Sequence, residues 1–330
     1  MARVLKEYTE KDTRVKNILI PENIGIAENT NAALAAATGE FVGFMDHDDL
    51  LSADALFEIA IRLEKDPSID VFYTDEDKVR TDLSEYFQPH FKPDFNLDLL
   101  RSNNYICHFF AVRRKIAEKT GGLRPEYNGA QDYDFIFRCT EKANEIVHIP
   151  KVLYHWRCHQ DSTASNPQSK LYAFEAGSRA IMEHYHRMGI EAEKVEKGVD
   201  YGIYHTTFKI KDDPLVSVII PNKDHRQDLD LCIRSMITRG TYKNLEFVVI
   251  ENNSTDPETF VYYEAIQKEF PQVRVVTWTR EFNYSAINNF GVQAAKGQYL
   301  LFLNNDTELI AENFVEEMLG FCQREDVGAV

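Results

Sequence analysis

Five cysteines in 330 residues, with no CxxC pair among them, suit neither a disulfide framework nor a structural zinc site, and a reducing cytoplasm is the expected home. No apolar run approaches the roughly 18 to 20 residues that span a bilayer, so no transmembrane helix is expected. The opening residues lead into a charged stretch through Lys16 without the apolar core of a secretion signal, so export is not expected either. Positive charge is scarce. Thirty-seven Lys and Arg against 53 Asp and Glu leave a net charge of −16, which opposes nucleic acid and anionic lipid as partners. No GxGxxG follows any strand-like run, which argues against a dinucleotide-dependent dehydrogenase. Glycine (15) and proline (11) are too few for a collagenous or low-complexity chain. What remains is an ordinary globular composition, 44% hydrophobic and 12% aromatic, long enough for two domains of roughly 100 to 200 residues.

Two regions alternate strand-like and helix-like segments, which predicts α/β architecture with a mainly parallel sheet. In the first, residues 16–21, 40–45 and 71–74 read as strands. Residues 27–38 and 51–65 read as helices, the second with Ser52 as its N-cap. Residues 78–98, aromatic and carrying Pro89 and Pro93, show no period and read as a long ordered loop. Its aromatic residues Tyr86, Phe87, Phe91 and Phe95 suit core packing or a sugar platform. Strands are expected at 105–112, 146–149 and 152–156, and helices at 114–120, 132–143 and 172–188. Asp212-Asp213-Pro214 marks a boundary between domains 1–213 and 214–330. In the second region strands are expected at 215–220, 246–250, 273–277 and 299–303, with helices at 228–238, 257–270, 286–295 and 311–323.

The two regions repeat one another. Adding 258 superposes Asn31 on Asn289, Ala36 and Ala37 on Ala294 and Ala295, Gly39 on Gly297, Phe44 on Phe302 and Asp48 on Asp306. Leu51, Ala53 and Glu58 fall on Leu309, Ala311 and Glu316, giving nine identities where roughly two are expected by chance. The copies are cut differently. The second has about 65 residues of strand and helix before the repeat, and the first continues for over 100 residues after it. The pattern is that of the back of one module followed by the front of another.

Chemistry concentrates where strands end. The strand at 40–45 runs into Asp46-His47-Asp48-Asp49, and carboxylates beyond the carboxyl end of a strand make a hard, oxygen-rich site suited to Mg²⁺ or Mn²⁺. The plainer alternative is a turn in which Asp49 or Ser52 caps the next helix, with His47 a turn residue. The equivalent turn, Asn304-Asn305-Asp306, retains only the counterpart of Asp48. Asp75-Glu76-Asp77 follows another strand and suits a pocket lining or a solvated acidic turn. Asp132 opens a helix, where carboxylates also serve as caps.

These motifs, in this order, resemble the family 2 glycosyltransferases of GT-A fold, and more narrowly the bacterial proteins that carry two such modules in tandem. Val216-Ser217-Val218-Ile219-Ile220-Pro221 resembles the family's first strand, continuing into Asn222-Lys223-Asp224. Val249-Ile250-Glu251-Asn252-Asn253-Ser254-Thr255-Asp256 resembles its Val-Asp-Asp-Gly-Ser-Thr-Asp, with Glu251 and Asn252 in place of two aspartates. The resemblance implies nucleotide contacts from Pro221, Asp224, Glu251, Asn252, Ser254 and Asp256. Asp46 to Asp49 matches the DxD metal motif, which implies metal ligands at Asp46 and Asp48, with Asp306 their counterpart. Gly129-Ala130-Gln131-Asp132-Tyr133-Asp134 resembles Glu-Asp-x-Asp, in which the equivalent of Asp132 is the catalytic base. His155-Trp156-Arg157-Cys158-His159-Gln160-Asp161-Ser162 resembles Arg-x-His-x-x-Ser, which implies a metal or diphosphate contact from His159. Asp49, Asp75, Asp77, Gln131, Asp134 and Arg157 are the expected lining of the donor or acceptor pocket.

The reading is an inverting, metal-dependent glycosyltransferase of bacterial surface polysaccharide synthesis. It would move sugar from a nucleotide-diphosphate sugar to a hydroxyl of a saccharide or lipid-linked saccharide. Its expected place is the cytoplasm, at the inner face of the membrane, with room for peripheral attachment through other subunits and for a homo-oligomer. A base and an electrophilic clamp on the leaving diphosphate meet the needs of inverting transfer without a covalent intermediate. The competing reading is a non-catalytic or incomplete carbohydrate-binding module of a longer tandem enzyme.

Overall fold

A computed structural model describes residues 2–158 and 171–330, and the chain divides into two compact units, 1–206 and 207–330. His159, with the polar segment that follows it, lies outside the described residues.

The first unit opens with helices α1 (Ala2–Lys11) and α2 (Ile26–Ala36), strands β1 (Phe41–Phe44) and β2 (Leu50–Leu51), and helix α3 (Ala55–Lys65). Strands β3 (Val71–Arg80) and β4 (Tyr86–His90) form a hairpin, followed by α4 (Leu97–Leu100), β5 (Phe110–Arg113), α5 (Arg114–Lys119) and α6 (Gln131–Thr140). Strand β6 (Ile146–Cys158), helix α7 (Leu171–Arg187) and the paired strands β7 (Ala192–Lys197) and β8 (Tyr204–Phe208) complete the series. The sheet order is β1-β5-β3-β6-β2, with β4 against β3. Only β3 and β6 run parallel, so the expectation of a mainly parallel sheet fails here: short connections such as the β3–β4 turn can join only antiparallel neighbours.

Several local expectations change for physical reasons. Residues 146–149 and 152–156 belong to one strand, because the β3 register jumps from Thr74↔Ile149 to Asp75↔Val152 and Pro150, which has no N–H to give, bulges out with Lys151. The segment 78–98 is not one loop: it holds the end of β3, the edge strand β4 and α4. Pro89 is tolerated because β4 pairs only with β3. Tyr86 and Phe91 are exposed, so they do not pack in the core. Ser52 does not cap α3, which starts at Ala55; its hydroxyl meets Val152 O and His155 Nε2. Residues 105–109 stay irregular, and β5 begins only at Phe110.

The second unit is a four-stranded parallel sheet, β11-β10-β9-β12, built from β9 (Val216–Asn222), α8 (Arg226–Arg239), β10 (Leu245–Glu251), α9 (Pro257–Glu269), β11 (Val273–Thr277), α10 (Tyr284–Ala294) and β12 (Tyr299–Phe302), closed by α11 (Phe314–Cys322). Its central strands are mostly apolar because both faces are covered, with Ser217 and Glu246 near their starts hydrogen-bonded to each other. Val218, Ile220, Phe247 and Val249 are fully buried in one core cluster, each contributing about 1.5–3 kcal/mol. Asp256 caps α9 by accepting from Glu258 N at 3.0 Å, with Pro257 in the first turn, and Asn283 caps α10 by accepting from Ala286 N at 2.9 Å.

The 258-residue offset carries over to the folded elements. Shifted by 258, Ile26–Ala36 becomes Tyr284–Ala294 and Phe41–Phe44 becomes Tyr299–Phe302, end for end. Strand β12 pairs with β9, whereas among the described residues β1 pairs only with β5. The same shift sets residues 15–19 against β11. Here the sequence reads as a strand, yet 15–19 form none, because a strand needs a neighbour for its amides and, among the described residues, no strand of this unit takes the places that β9 and β10 hold between β12 and β11. A hollow of about 660 Å³ lies there instead, lined by residues 16–20 and by Ala32, Ala33 and Ala36 of α2. In the second unit the equivalent face of α10 lies hard on the sheet: a Cβ on Gly291 would come within 2.5 Å of Ile250 Cδ1 and 2.6 Å of Ile219 Cγ2, whereas its counterpart Ala33 is exposed. Gly291→Ala should therefore cost about 1–3 kcal/mol through overpacking, read as a lowered urea midpoint for the second unit's transition. An unchanged midpoint would contradict this close approach.

Candidate functional site

In the first unit, three elements converge on a cavity of about 210 Å³ whose lining includes Asp46, Cys107, His108, Gln131 and Asp132. Asp46 arrives from the carboxyl end of β1, Asp132 from the first turn of α6, and Cys107 and His108 from the irregular segment before β5. The much larger hollow beside residues 16–20 holds none of these groups.

The acidic turn is fixed from beneath. Asp49 is buried, accepting from Tyr154 OH and, at 2.8 Å, from Arg157 N, and burial pushes its carboxyl up against the pull of those two bonds. Tyr154 OH also accepts from Asp46 N at 3.3 Å. This anchoring leaves Asp46 exposed and Asp48 half-buried, with His47 Nδ1 at 3.7 Å from Asp48 Oδ1. Two carboxylates match the donor set by which Mg²⁺ is usually held, with remaining positions filled by water and substrate phosphate. Among the described residues no three His, Cys, Asp or Glu side chains are grouped closely enough to hold a metal by themselves.

Asp132 does not serve as a helix cap. Helix α6 has Ala130 at its N-cap position, and Asp132 Oδ2 accepts from Asn104 Nδ2 at 2.8 Å. Gln131 Oε1 turns back to accept from Gly129 N at 2.7 Å. Gly129 has φ +96 and a Cβ there would meet Ala173 and Tyr172 within 2.8 Å, so only glycine fits the turn that delivers Asp132.

The other expected pocket residues point elsewhere. Asp134 is fully buried, bonded to Arg124 and, at 2.6 Å, to Arg138. Asp75, also buried, accepts from Lys92 N and meets His148 Nε2, both at 2.8 Å. Asp77 lies 2.6 Å from His155 Nδ1, and Arg157 Nη1 donates to Thr81 O at 3.3 Å. These four organise the sheet and the base of α6 rather than the cavity wall.

Lys92 and Glu76 hold the wall in place. Lys92 Nζ, with its side chain fully buried, donates to Ile106 O at 3.1 Å and to His108 O, and lies 3.5 Å from Glu76 Oε2. Glu76 Oε2 accepts from His108 N at 2.5 Å. Burial pulls the Lys92 ammonium down. For Glu76 burial pushes up, but His90, the Lys92 charge and the His108 amide outweigh it and hold the carboxyl low. Burial, followed by the charge of Asp132, pushes the Cys107 thiol well up, so it lines the cavity as a neutral group. Asn104, Cys107, His108 and Lys92 carry no sequence signal: residues 105–112 read as a plain strand, Lys92 falls in the aperiodic segment 78–98, and Asn104 belongs to no motif.

In the second unit, β9, β10 and β12 end around a cavity of about 570 Å³, at the point where the strand order reverses between β9 and β12. Pro221, Asn222, Lys223, Asn252, Asn253, Asn304 and Asn305 line it, with Phe282 and Tyr284 exposed beside it. Asn305 Nδ2 donates to Asn222 Oδ1 at 2.7 Å. Pro221 and Asn252 thus reach the cavity, whereas Asp224, Glu251, Ser254 and Asp256 are outside its lining and knit the loops behind it. Asp224 Oδ1 accepts from Thr255 N at 2.8 Å and Asp256 N at 2.9 Å, which holds its carboxyl low. Buried Glu251 accepts from Ser254 Oγ at 2.6 Å and Tyr263 OH at 2.7 Å. Asp306 is exposed and lies outside the lining.

A strand-end cavity holding a carboxylate turn and a second carboxylate at a helix start, in a chain with this motif order, agrees with comparison to known proteins. The profile described as "Glycosyl transferase family 2" matches residues 1–121 and 217–330. The chain belongs to glycosyl transferase family 2. It is 38% identical over 330 residues to the O-antigen biosynthesis protein RfbC of Myxococcus xanthus and 37% identical over 332 residues to the uncharacterized protein y4gI of Sinorhizobium fredii. Both matches take in 100% of this chain but only 26% and 36% of those proteins. Chondroitin synthase of Pasteurella multocida is 28% identical over 49% of the chain and 16% of its own length. A solved mannosyltransferase, PcManGT from Pyrobaculum calidifontis in complex with GDP-Man and Mn2+, aligns with 37% of each chain at 20% identity and a TM-score of 0.33, too slight a likeness to bear on this site. This family 2 member has no helix, among the described residues, long and apolar enough to cross a membrane.

Removing one partner of the buried Lys92–Glu76 pair should be costly. Glu76→Gln is expected to lower stability at neutral pH by about 3–5 kcal/mol in urea titrations. The Glu76 contribution is full above the ordinary carboxylate range and is lost as pH falls through its lowered value, so the gap between the two proteins should persist through that range and close only in stronger acid. Equal stability at neutral pH would refute the clamp.

Proposed function

We propose that this family 2 chain takes part in inverting, metal-dependent transfer of sugar from a nucleotide-diphosphate sugar to a saccharide hydroxyl during bacterial surface polysaccharide synthesis. The observation that carries the proposal is the convergence of Asp46 and Asp132, from two separate elements, on one cavity. Asp132 serves as the base: it takes the proton of the acceptor hydroxyl as that oxygen bonds to the anomeric carbon and the carbon–oxygen bond to the diphosphate breaks, which inverts the centre. Asp46 and Asp48, with His159, would hold Mg²⁺ or Mn²⁺, which when bound neutralises charge on the departing diphosphate.

In this proposal the first unit supplies metal and acceptor groups. The second supplies the nucleotide-binding half of another module, with Pro221, Asn222 and Asn252 nearest the base and ribose and Asp224, Glu251, Ser254 and Asp256 shaping the loops. Asp306 is then a vestige of a metal turn. The relation to an O-antigen biosynthesis protein and to a chondroitin synthase supports a polysaccharide product. A second reading, an incomplete carbohydrate-binding module of a longer tandem enzyme, draws on the lack of any strand in the first unit equivalent to β9 and β10 among the described residues.

Calorimetric titration with UDP, dTDP and GDP, each with and without Mn²⁺, separates these readings. Metal-dependent binding that Asp48→Ala weakens, with donor hydrolysis or transfer lost in Asp132→Asn while binding persists, is the expected result. Wild-type turnover in Asp132→Asn would remove the base assignment, a greater effect of Asp306→Ala than of Asp48→Ala would move the site to the second unit, and no binding by the folded chain would favour the incomplete module.

A further inference from the structure

We propose that Asn104 is a positioning residue for Asp132: its amide donates to one carboxylate oxygen and so aims the other into the cavity toward the acceptor hydroxyl. The inference rests on the reading of Asp132 as the base.

A carboxylate only accepts hydrogen bonds, so the contact of 2.8 Å between Asn104 and Asp132 Oδ2 fixes which end of the amide faces it: Nδ2 donates, and Oδ1 must point away. That orientation leaves Asn104 Oδ1 buried with no partner among the described residues. An amide placed for packing alone would have both ends satisfied. Here the acceptor goes without so that the donor can hold Asp132, a local compromise of the kind found where a group must be held for chemistry.

The backbone on either side of Asn104 leaves it little freedom. Asn103 Nδ2 donates to Gly202 O at 2.9 Å, and Asn103 forms a bridge with Ile203. Tyr204 N donates to Ser102 O at 2.8 Å. On the other side Tyr105 OH accepts from Asn96 N at 2.9 Å, and beyond it Lys92 grips the carbonyls of Ile106 and His108. The amide is therefore delivered from a rigid support, as orienting groups must be. The groups that face Asp132 are Asn104 and Cys107 from this segment, Tyr133 on its own helix and Tyr204 from β8, with Asp46 and His108 in the lining of the same cavity. Among these, the Asn104 amide and, more weakly as a donor, the Cys107 thiol give hydrogen bonds to the Asp132 carboxylate, and only the amide is itself held by a rigid backbone on both sides.

The test follows the ionisation of Asp132 directly. Its carboxyl carbon, assigned by its loss in Asp132→Asn, is followed by ¹³C NMR as pH is varied in the full chain. A hydrogen bond to the ionised form favours that form, so Asn104→Ala should move the Asp132 midpoint up by about half to one pH unit. Asn104→Asp, nearly isosteric, places a second carboxylate beside the first and should raise it by more than about one unit, with titration in two steps. Donor hydrolysis should fall about tenfold in Asn104→Ala through kcat, with donor affinity in calorimetry unchanged. Thermal unfolding near the native temperature shows that each variant is folded; should Asn104→Ala fail this check, the Asp variant carries the test. Unmoved midpoints overturn the proposal. If the midpoints move but Asp132→Asn still turns over, Asn104 orients a carboxylate that is not the base, and the underlying reading fails instead.

Discussion

The first unit depends on a cation buried where no water reaches it. Lys92 is tolerated because two backbone carbonyls and the Glu76 carboxylate surround its ammonium, and those carbonyls belong to the segment that forms one wall of the cavity. The same Glu76 oxygen takes the His108 amide, so charge and backbone are fastened at one point. An irregular stretch between a helix and a strand would otherwise have many conformations. With Lys92 beneath it, Asn104, Cys107 and His108 are held in one arrangement beside Asp132.

A second constraint acts through hydrogen bonding of strands. Residues 15–19 have the composition of a strand and match β11 at the 258-residue offset, yet they are not one, because strand structure is a property of a pair. In the second unit β11 has β10 beside it, and α10 closes on β9 and β10 so tightly that residue 291 must be glycine. In the first unit, the equivalent face of α2 borders a hollow and alanine suffices at position 33. Two equivalent stretches of a repeat thus take the structure that their neighbours allow.

The acidic residues divide by burial. Asp49, Asp75 and Asp134 are deep in the unit, each held by donors fixed in the sheet or in α6, and they build the scaffold. Asp46, Asp48 and Asp132 retain exposure and meet at or near the cavity. In the second unit the same division places Glu251 behind the cavity and leaves asparagines, Asn222, Asn252, Asn253, Asn304 and Asn305, to line it. Amides dominate this wall, and the exposed Glu281 carboxylate in its lining is not part of an acidic turn like that of the first cavity, which separates the chemistry of the two.

By itself the sequence determined the alternation of strands and helices, the internal repeat and the family motifs, because apolar period, turn residues and ordered motifs are local signals. The parallel sheet of the second unit was legible for the same reason: its strands are short, mainly apolar runs that alternate with helical segments. Tertiary structure alone decided the mixed sheet of the first unit and the single bulged strand β6, since those pairing partners lie far apart in the chain, and it decided the β3–β4 hairpin because β4 is an exposed edge strand with no apolar alternation to mark it. It also decided that Asp134 and Asp75 are scaffold while Asp132 is presented, and that Asn104 holds it. A carboxylate's role depends on burial and on which donor reaches it, and neither is written in the spacing of residues.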